Sequence, residues 1–342
     1  MESPRAYAGH AHLTMALHST AARAQSANVR PRRCVATTAA SSVTEQVRDA
    51  IDSAQRSGNG REAAGFAARA AALESLDVHV FDRLRFFEGL SGLSPELRLL
   101  QRRGAGLRRR LEETNERFVR ALRRRIREGR AAPAWLRRVL AECSPSSPSR
   151  LGYDSVDLLV MRLLGGRAPS AAVAAPHPEM VPYQPTPVRA VLAMIDAASL
   201  GAGDVLYDLG SGLGHVVILA ALLSAANARG VEVEPSYDAY ARQCVRRLNV
   251  PRASFVRGDA READFDDGTL FFMYTPFRGE LLRQVLERLR DVATKRPLRL
   301  CTYGPCTHEV ALARWLRLRG RRRPSDDEVA LFDGPVALAR GA

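Results

Sequence analysis

The sequence predicts an α/β domain built on a doubly wound, mainly parallel sheet, preceded by an all-helical region. Three observations predict it. From about residue 204 onward, short apolar strands alternate with amphipathic helices. Residues 44–141 carry helical spacing alone. Between the two apolar runs of "VLYDLGSGLGHVVILAAL", Val205–Leu222, lie an acid and three glycines. Repeated strand–helix units need crossover connections, and these give parallel strands with helices on both faces.

The elements follow in order. Residues 1–43 are rich in Ala, Ser and Arg, with Glu2 as the only acid, and are expected to be a disordered or leader-like segment, or to precede a later start such as Met15. Residues 44–143 form a helical accessory domain. Thr44-Glu45-Gln46-Val47 opens its first helix with a capping threonine, and Glu62–Leu76 is alanine-rich. Val80, Phe81, Leu84 and Phe87 recur at helical spacing, and Ser94-Pro95-Glu96 supplies N-cap, N1 and N2 of the next helix. Leu111, Phe118, Leu122 and Ile126 then lie near one face of a helix over 107–128. Residues 144–178 are a linker containing "SPSSPS" and one short helix over 153–164, and the five prolines of 168–185 demand extended chain.

In residues 179–342 strands are expected over 204–209, 230–233, 254–257, 270–274 and 299–303, with helices near 215–226, 236–248, 279–293 and 308–318. Residues 329–332 and 336–339 are expected to close the sheet as an antiparallel hairpin, with Asp333-Gly334 supplying the positive φ of a type I′ turn.

Composition bounds the function. The net charge of +14 is concentrated before residue 151, where 27 arginines face 15 acids; beyond it 24 basic residues face 22 acidic ones. The basic N-terminal region is therefore where nucleic acid could bind, against the simpler account of a solvated surface. No run of about 18 uncharged apolar residues exists, so no membrane span is expected. The five cysteines have no metal-ligand spacing and suggest a reducing, cytoplasmic setting without a metal.

The chemistry concentrates at the glycine loop. Gly210, Gly212 and Gly214, with Ser211 between, let a ligand approach bare backbone, and the helix opening at His215 offers unpaired N–H groups. The spacing is G-x-G-x-G, not the G-x-G-x-x-G of dinucleotide enzymes, and Asp208 precedes it. Glu232 ends the second strand in "GVEVEP", where a carboxylate can accept both hydroxyls of an adenosine ribose. Asp259, followed by Ala260 in "VRGDA", can accept from an adenine amino group.

These residues, over about 180–340, resemble the class I S-adenosylmethionine-dependent methyltransferases, with their Rossmann-like seven-strand sheet and terminal antiparallel hairpin. "DLGSGLGHVV" is close to the loop of the Dot-one-like (non-SET) histone-lysine methyltransferases, and a related pattern occurs in small seven-strand protein-lysine methyltransferases. The resemblance implies S-adenosylmethionine as cofactor, with Asp208 near the ammonium of its methionine part. "VPYQPTP" supplies Tyr183 and Thr186 at the family's Y-x-x-T lid spacing, which implies contacts near the methionine carboxylate and sulfonium. Independently, Thr186-Pro187 reads as N-cap and N1 of the following helix. His215 stands where the family has glutamine; it can contact the cofactor or cap the turn.

At the fourth strand end, "FFMYTPF" keeps the final proline and aromatic of an amine-binding N-P-P-Y/F segment but lacks its leading Asn. The Dot-one-like asparagine is replaced by Tyr274. Tyr274 and Phe277 are the expected catalytic-site residues, with the Phe277 ring facing the developing charge on the target nitrogen. The function implied is N-methylation of a protein lysine. RNA or small-molecule methylation is the alternative, and a silent S-adenosylmethionine-binding module is a third.

Overall fold

The computed structural model describes residues 33–58, 60, 63–145, 153–166, 169, 177–320 and 325–335. The remainder, including residues 1–32, Ser146–Ser149 of the expected linker and the expected strand over 336–339, lies outside the described residues. The chain divides into two compact units. One holds the chain up to Leu122 with Val139–Leu159, and the other holds Arg123–Arg138 with everything from Val160 onward.

The first unit is helical. Helix α1 spans Arg33–Ser57, α2 Ala64–Leu76 and α3 Arg83–Ser91, with a π-helical turn at Asp77–Asp82 between the last two. Thr44 is therefore not a cap. It lies inside α1, because Ala36, Ala39 and Ala40 favour continuing the helix upstream. Gly92, at φ 72°, ends α3. Ser94 starts α4 (Pro95–Arg127) as expected, its Oγ accepting from Leu97 N at 3.2 Å. Val47, Ile51, Leu76, Val80, Leu84 and Leu100 are buried together as the core of this unit.

Helices α5 (Pro133–Glu142) and α6 (Ser155–Leu164) follow, and α7 (Val188–Ala197) leads into the sheet of the second unit. The strands are β1 Val205–Leu209, β2 Asn227–Glu232, β3 Ala253–Arg257, β4 Leu270–Tyr274 and β5 Arg299–Tyr303. After α11 (Cys306–Val310) come β6 Arg317–Leu318 and β7 Ala330–Asp333. Helices α8 (His215–Leu223), α9 (Pro235–Leu248) and α10 (Gly279–Lys295) are the crossovers. The order in the seven-strand sheet is β3-β2-β1-β4-β5-β7-β6; β1 to β5 are parallel, β7 runs antiparallel to β5, and β6 antiparallel to β7. The chain reverses its direction of travel across the sheet between β1 and β4. Ligands of such sheets bind outside the carboxyl ends of the strands at such a reversal point.

The sheet ends differently from the expected hairpin. Asp333-Gly334 is no type I′ turn: Gly334 lacks a positive φ and donates to Leu298 O at 2.9 Å. On the side away from β5, β7 pairs antiparallel with β6, inside the segment expected as a long helix over 308–318. That helix stops at Val310, since Trp315, Leu316 and Leu318 instead pack on the core and Arg319 N donates to Leu331 O at 2.8 Å.

Side chains alternate across the parallel strands. Tyr207, Leu209, Phe271, Met273 and Leu300 point to the face covered by α10, where they form the larger core with Leu282, Val285 and Leu289. The alternate residues Asp208, Phe272, Tyr274 and Tyr303 share the opposite face, and register sets Asp208 beside Gly230 and Phe272, and Tyr274 beside Tyr303.

Candidate active site

The loop after β1 turns through three left-handed glycines, Gly210 (φ 78°), Gly212 (φ 51°) and Gly214 (φ 82°). Gly214 is the N-cap of α8, and its Cβ would come within 2.6 Å of the Phe255 ring. A Cβ at Gly212 would stand 2.1 Å from the Tyr183 ring, and one at Gly210 2.4 Å from Pro276. Glycine is thus required both by backbone conformation and by what closes over the loop. Val231 O accepts from Gly210 N (2.9 Å) and Ser211 N (3.0 Å), which pins the turn to β2. The Ser211 Oγ is buried without a hydrogen-bond partner.

Two carboxylates meet beneath this loop. Glu232, 7% exposed, accepts from Gly212 N at 2.6 Å and Glu234 N at 2.8 Å. Asp208 is 4% exposed, and burial, reinforced by the nearby Glu232 charge, pushes its carboxyl up to about 8. Burial also raises Glu232, against the backbone N–H groups that favour its charge. Among the described residues no cationic side chain pairs with either acid. Uncompensated buried carboxylates are costly, and a cationic ligand would relieve them.

Tyr183 and His215 come together, Tyr183 OH lying 3.1 Å from His215 Nδ1. Desolvation lowers the imidazole to about 4, so it is neutral at pH 7. The Tyr183 ring also packs on Tyr237, with centroids 5.2 Å apart. The segment carrying Tyr183 is stitched to the β4 exit: Val181 N donates to Pro276 O (3.0 Å), and Arg278 N to Glu179 O (3.0 Å). The Glu179 carboxylate caps α10, accepting from Glu280 N (3.1 Å) and Leu281 N (2.9 Å), and these donors hold it below the usual carboxylate range. Thr186 is half-buried at the same segment's end but is not the N-cap; α7 starts one residue later, with Pro187 O accepting from Ala190 N (2.9 Å). The fixed φ of Pro187 is combined here with extended ψ 136°, which places it outside the helix.

Asp259 follows β3 as expected, but Arg261 occupies its carboxylate through the guanidinium (2.6 Å) and the backbone N (2.8 Å), which lowers its pKa. Ala260 is buried beside it. Of the three acids, then, only Asp208 and Glu232 form a pair without a cation.

At β4, Tyr274 is half-buried and packs on Tyr303 with centroids 4.9 Å apart. Thr275 turns the chain in a left-handed conformation (φ 43°), its Oγ1 donating to Tyr303 O at 3.3 Å and accepting from Cys306 N at 3.2 Å. Phe277 is not beside Tyr274. It is 8% exposed in the core between sheet and α10, and its backbone bridges to Met180. The Thr275 turn carries the chain to the other side of the sheet edge, so this ring does a packing job. Sequence inspection missed Tyr303, whose signal is only its place at a strand end in "CTYGP". It also missed Glu179, whose cap partners lie about a hundred residues away. Among the described residues no group of His, Cys, Asp and Glu could hold a metal, and no helix is long and apolar enough to cross a membrane.

The family model of histone methylation protein DOT1 matches residues 182–268, from the Tyr183 segment through the β3 exit. A protein-lysine N-methyltransferase of Saccharolobus islandicus is 34% identical over 116 residues, covering 33% of this chain and 70% of that protein. Among solved structures, an RNA methyltransferase from Salinibacter ruber in complex with S-adenosyl-L-homocysteine is 24% identical and covers 46% of this chain and 97% of its own, with a TM-score of 0.36. A SAM-dependent methyltransferase from Aquifex aeolicus is 18% identical over 44% of this chain and 93% of its own, with a TM-score of 0.35. The buried carboxylate pair, the partnerless Ser211 hydroxyl and the glycine cradle fit a cofactor that carries both cationic and hydroxyl groups. The chain belongs to the DOT1-type protein-lysine methyltransferase family of class I S-adenosylmethionine-dependent enzymes.

Proposed function

We propose that this enzyme methylates the ε-amino group of a lysine in a protein. The observation that carries this is the pairing, on one sheet face, of a buried carboxylate pair at β1 and β2 with a tyrosine pair at β4 and β5. The kinship with a protein-lysine N-methyltransferase over most of that protein's length supports it.

When bound, S-adenosylmethionine supplies a methyl carbon activated by its sulfonium for in-line displacement. Asp208 would take the ammonium of its methionine part, as the charged acceptor for which that buried site lacks a partner. Glu232 spends one lone pair of each oxygen on Gly212 N and Glu234 N, which leaves acceptor capacity for ribose hydroxyls. Gly210, Ser211, Gly212 and Gly214 form the cradle, and Tyr183, Thr186 and His215 its outer wall. Ala260 and the backbone around Asp259 border the adenine position, with the Asp259 carboxylate already committed to Arg261.

The acceptor amine must be neutral to attack. The Tyr274 and Tyr303 rings exclude water from its approach, and low polarity favours the uncharged amine. Tyr274 OH orients the nitrogen lone pair, and the proton leaves to solvent; no carboxylate base is needed. The buried, unpaired cysteines Cys143, Cys244, Cys301 and Cys306 support a reducing, cytoplasmic setting.

The test is label transfer. The purified full-length chain is incubated with methyl-labelled cofactor and a fractionated lysate. Labelled ε-N-methyl-lysine in hydrolysed protein is the expected product; label confined to RNA or small molecules would overturn the assignment.

A further inference from the structure

Beside the tyrosine pair, a cavity of about 460 Å³ opens between α7 and the β5–β7 end of the sheet. Its volume is that of a ligand pocket rather than a packing defect. One wall is the alanine face of α7, where Ala190, Ala193 and Ala197 follow at helical spacing and present only methyl groups. Leu318 lines it from β6. The arginines on its walls are tied down: Arg319 is held by Asp333 at 2.7 Å, and Arg189 donates to Tyr303 OH at 3.2 Å. Asp327 and Glu328 also line the cavity, and their carboxylates accept from Ser325 Oγ (2.5 Å) and Ser325 N (3.3 Å), respectively. With its charged groups anchored in this way, the alanine face, Leu318 and Val329 leave room for an apolar group.

Tyr303 belongs to both places. It is 5% exposed, lines this cavity, and packs on Tyr274 with centroids 4.9 Å apart. The cavity therefore lies about one ring's width beyond the acceptor position. In an extended polypeptide, residues i and i+2 project from the same face about 7 Å apart. A lysine at Tyr274 thus brings the side chain two residues along to the far side of Tyr303.

We propose that this cavity is a specificity subsite that seats an apolar side chain two residues from the target lysine in the substrate polypeptide. This rests on the protein-lysine assignment above. Ala190 is buried at the base of the alanine face and Ala193 stands exposed on the wall above it, while Arg189 positions Tyr303, the wall shared with the acceptor site.

The experiment uses full-length enzyme, methyl-labelled S-adenosylmethionine and synthetic lysine-centred peptides. These differ only in carrying Leu or Gly at the second residue on either side of the lysine. The wild-type enzyme is expected to favour Leu over Gly on one side by about fivefold or more in kcat/KM, the discrimination a hydrophobic pocket provides. In Ala193→Phe, which fills the space, that ratio should fall to about one; Ala193→Leu should lower it part of the way. Wild-type cofactor affinity in both variants serves as the check on folding. Equal rates for Leu and Gly peptides in the wild type, or a ratio untouched by both substitutions, would overturn the subsite while leaving lysine methylation intact. Label in no peptide and no protein lysine, with the cofactor still bound, would remove the lysine assignment and the subsite with it.

Discussion

Asp208 and Glu232, ending β1 and β2, are buried carboxylates with no cationic side chain to pair with, whereas Tyr274 and Tyr303, ending β4 and β5, are neutral aromatic rings packed on each other. Both pairs stand on one face of one sheet edge, on either side of the point where the strand order reverses. The first pair sits under backbone that only glycine can form, and its burial is answered by a proton held on Asp208. The second pair costs nothing until a substrate arrives. On the proposed function one half serves a charged cofactor and the other an amine that must be uncharged to attack, and their polarity differs accordingly.

The largest expected effect tests the boundary of the second half. Phe277→Ala should destabilise the fold by about 3–5 kcal/mol, the usual cost of emptying a buried phenylalanine site. Chemical denaturation measures it. A folded variant of unchanged stability with greatly reduced turnover would instead return Phe277 to the acceptor site. The first half is tested next by Gly212→Ala, which forces a left-handed alanine against the Tyr183 ring. Strain and overlap together are worth about 2–4 kcal/mol, so S-adenosylmethionine affinity should fall at least thirtyfold or so. Gly258→Ala is the matched control: its Cβ meets nothing within 4 Å, and affinity should hold. Equal losses in both would mean that the cradle is not specifically shaped.

The first half was the more legible in sequence for the same physical reason. A carboxylate before G-x-G-x-G, and another at the next strand end, are compositions that only a ligand makes worthwhile, so Asp208, Glu232 and the glycines stand out without coordinates. Of the parallel strands, β1, β4 and β5 were equally plain, because they are largely apolar runs. The start of β2 at Asn227, three residues before the expected 230–233 and directly after the helix expected to 226, was not plain, since Asn227 and Arg229 give no apolar signal. Tyr303 did not stand out, since a tyrosine ending a strand is unremarkable until register sets it beside Tyr274. Phe277 was misplaced because the left-handed Thr275 turn has no sequence signature. The Glu179 cap escaped because its partners lie about a hundred residues away, and the β6–β7 pairing because β6 is only two residues, Arg317–Leu318, too short for a strand pattern. Arg261, two residues from Asp259, was within reach of inspection, but its choice of partner was not.

A further test distinguishes the halves by pH. Burial, with the Glu232 charge, pushes the Asp208 carboxyl up to about 8 in the fold, against about 3.9 for an unfolded chain. Between those values the native state binds the extra proton, so stability of the cofactor-free protein falls as pH rises from about 4 to 8. Asp208→Asn should flatten that slope in thermal melts, whereas Tyr274→Phe should leave it unchanged. A bound cation favours the ionised carboxylate, so cofactor binding near pH 7 should release up to about one proton. Titration calorimetry in buffers of different ionisation enthalpy reads this directly; proton uptake would contradict the assignment of Asp208.

The central claim is that the two halves divide the labour, one holding cofactor and the other serving the acceptor. Calorimetric titration of S-adenosylmethionine into Glu232→Ala and Tyr274→Phe, side by side with the wild type, tests it most directly. Removing the Glu232 carboxylate orphans two backbone N–H groups and a ligand acceptor, so affinity should fall by about tenfold to a hundredfold. Tyr274→Phe should bind with wild-type affinity, its loss of about tenfold confined to turnover. Unchanged affinity in folded Glu232→Ala, or an equal loss in both variants, would contradict the division.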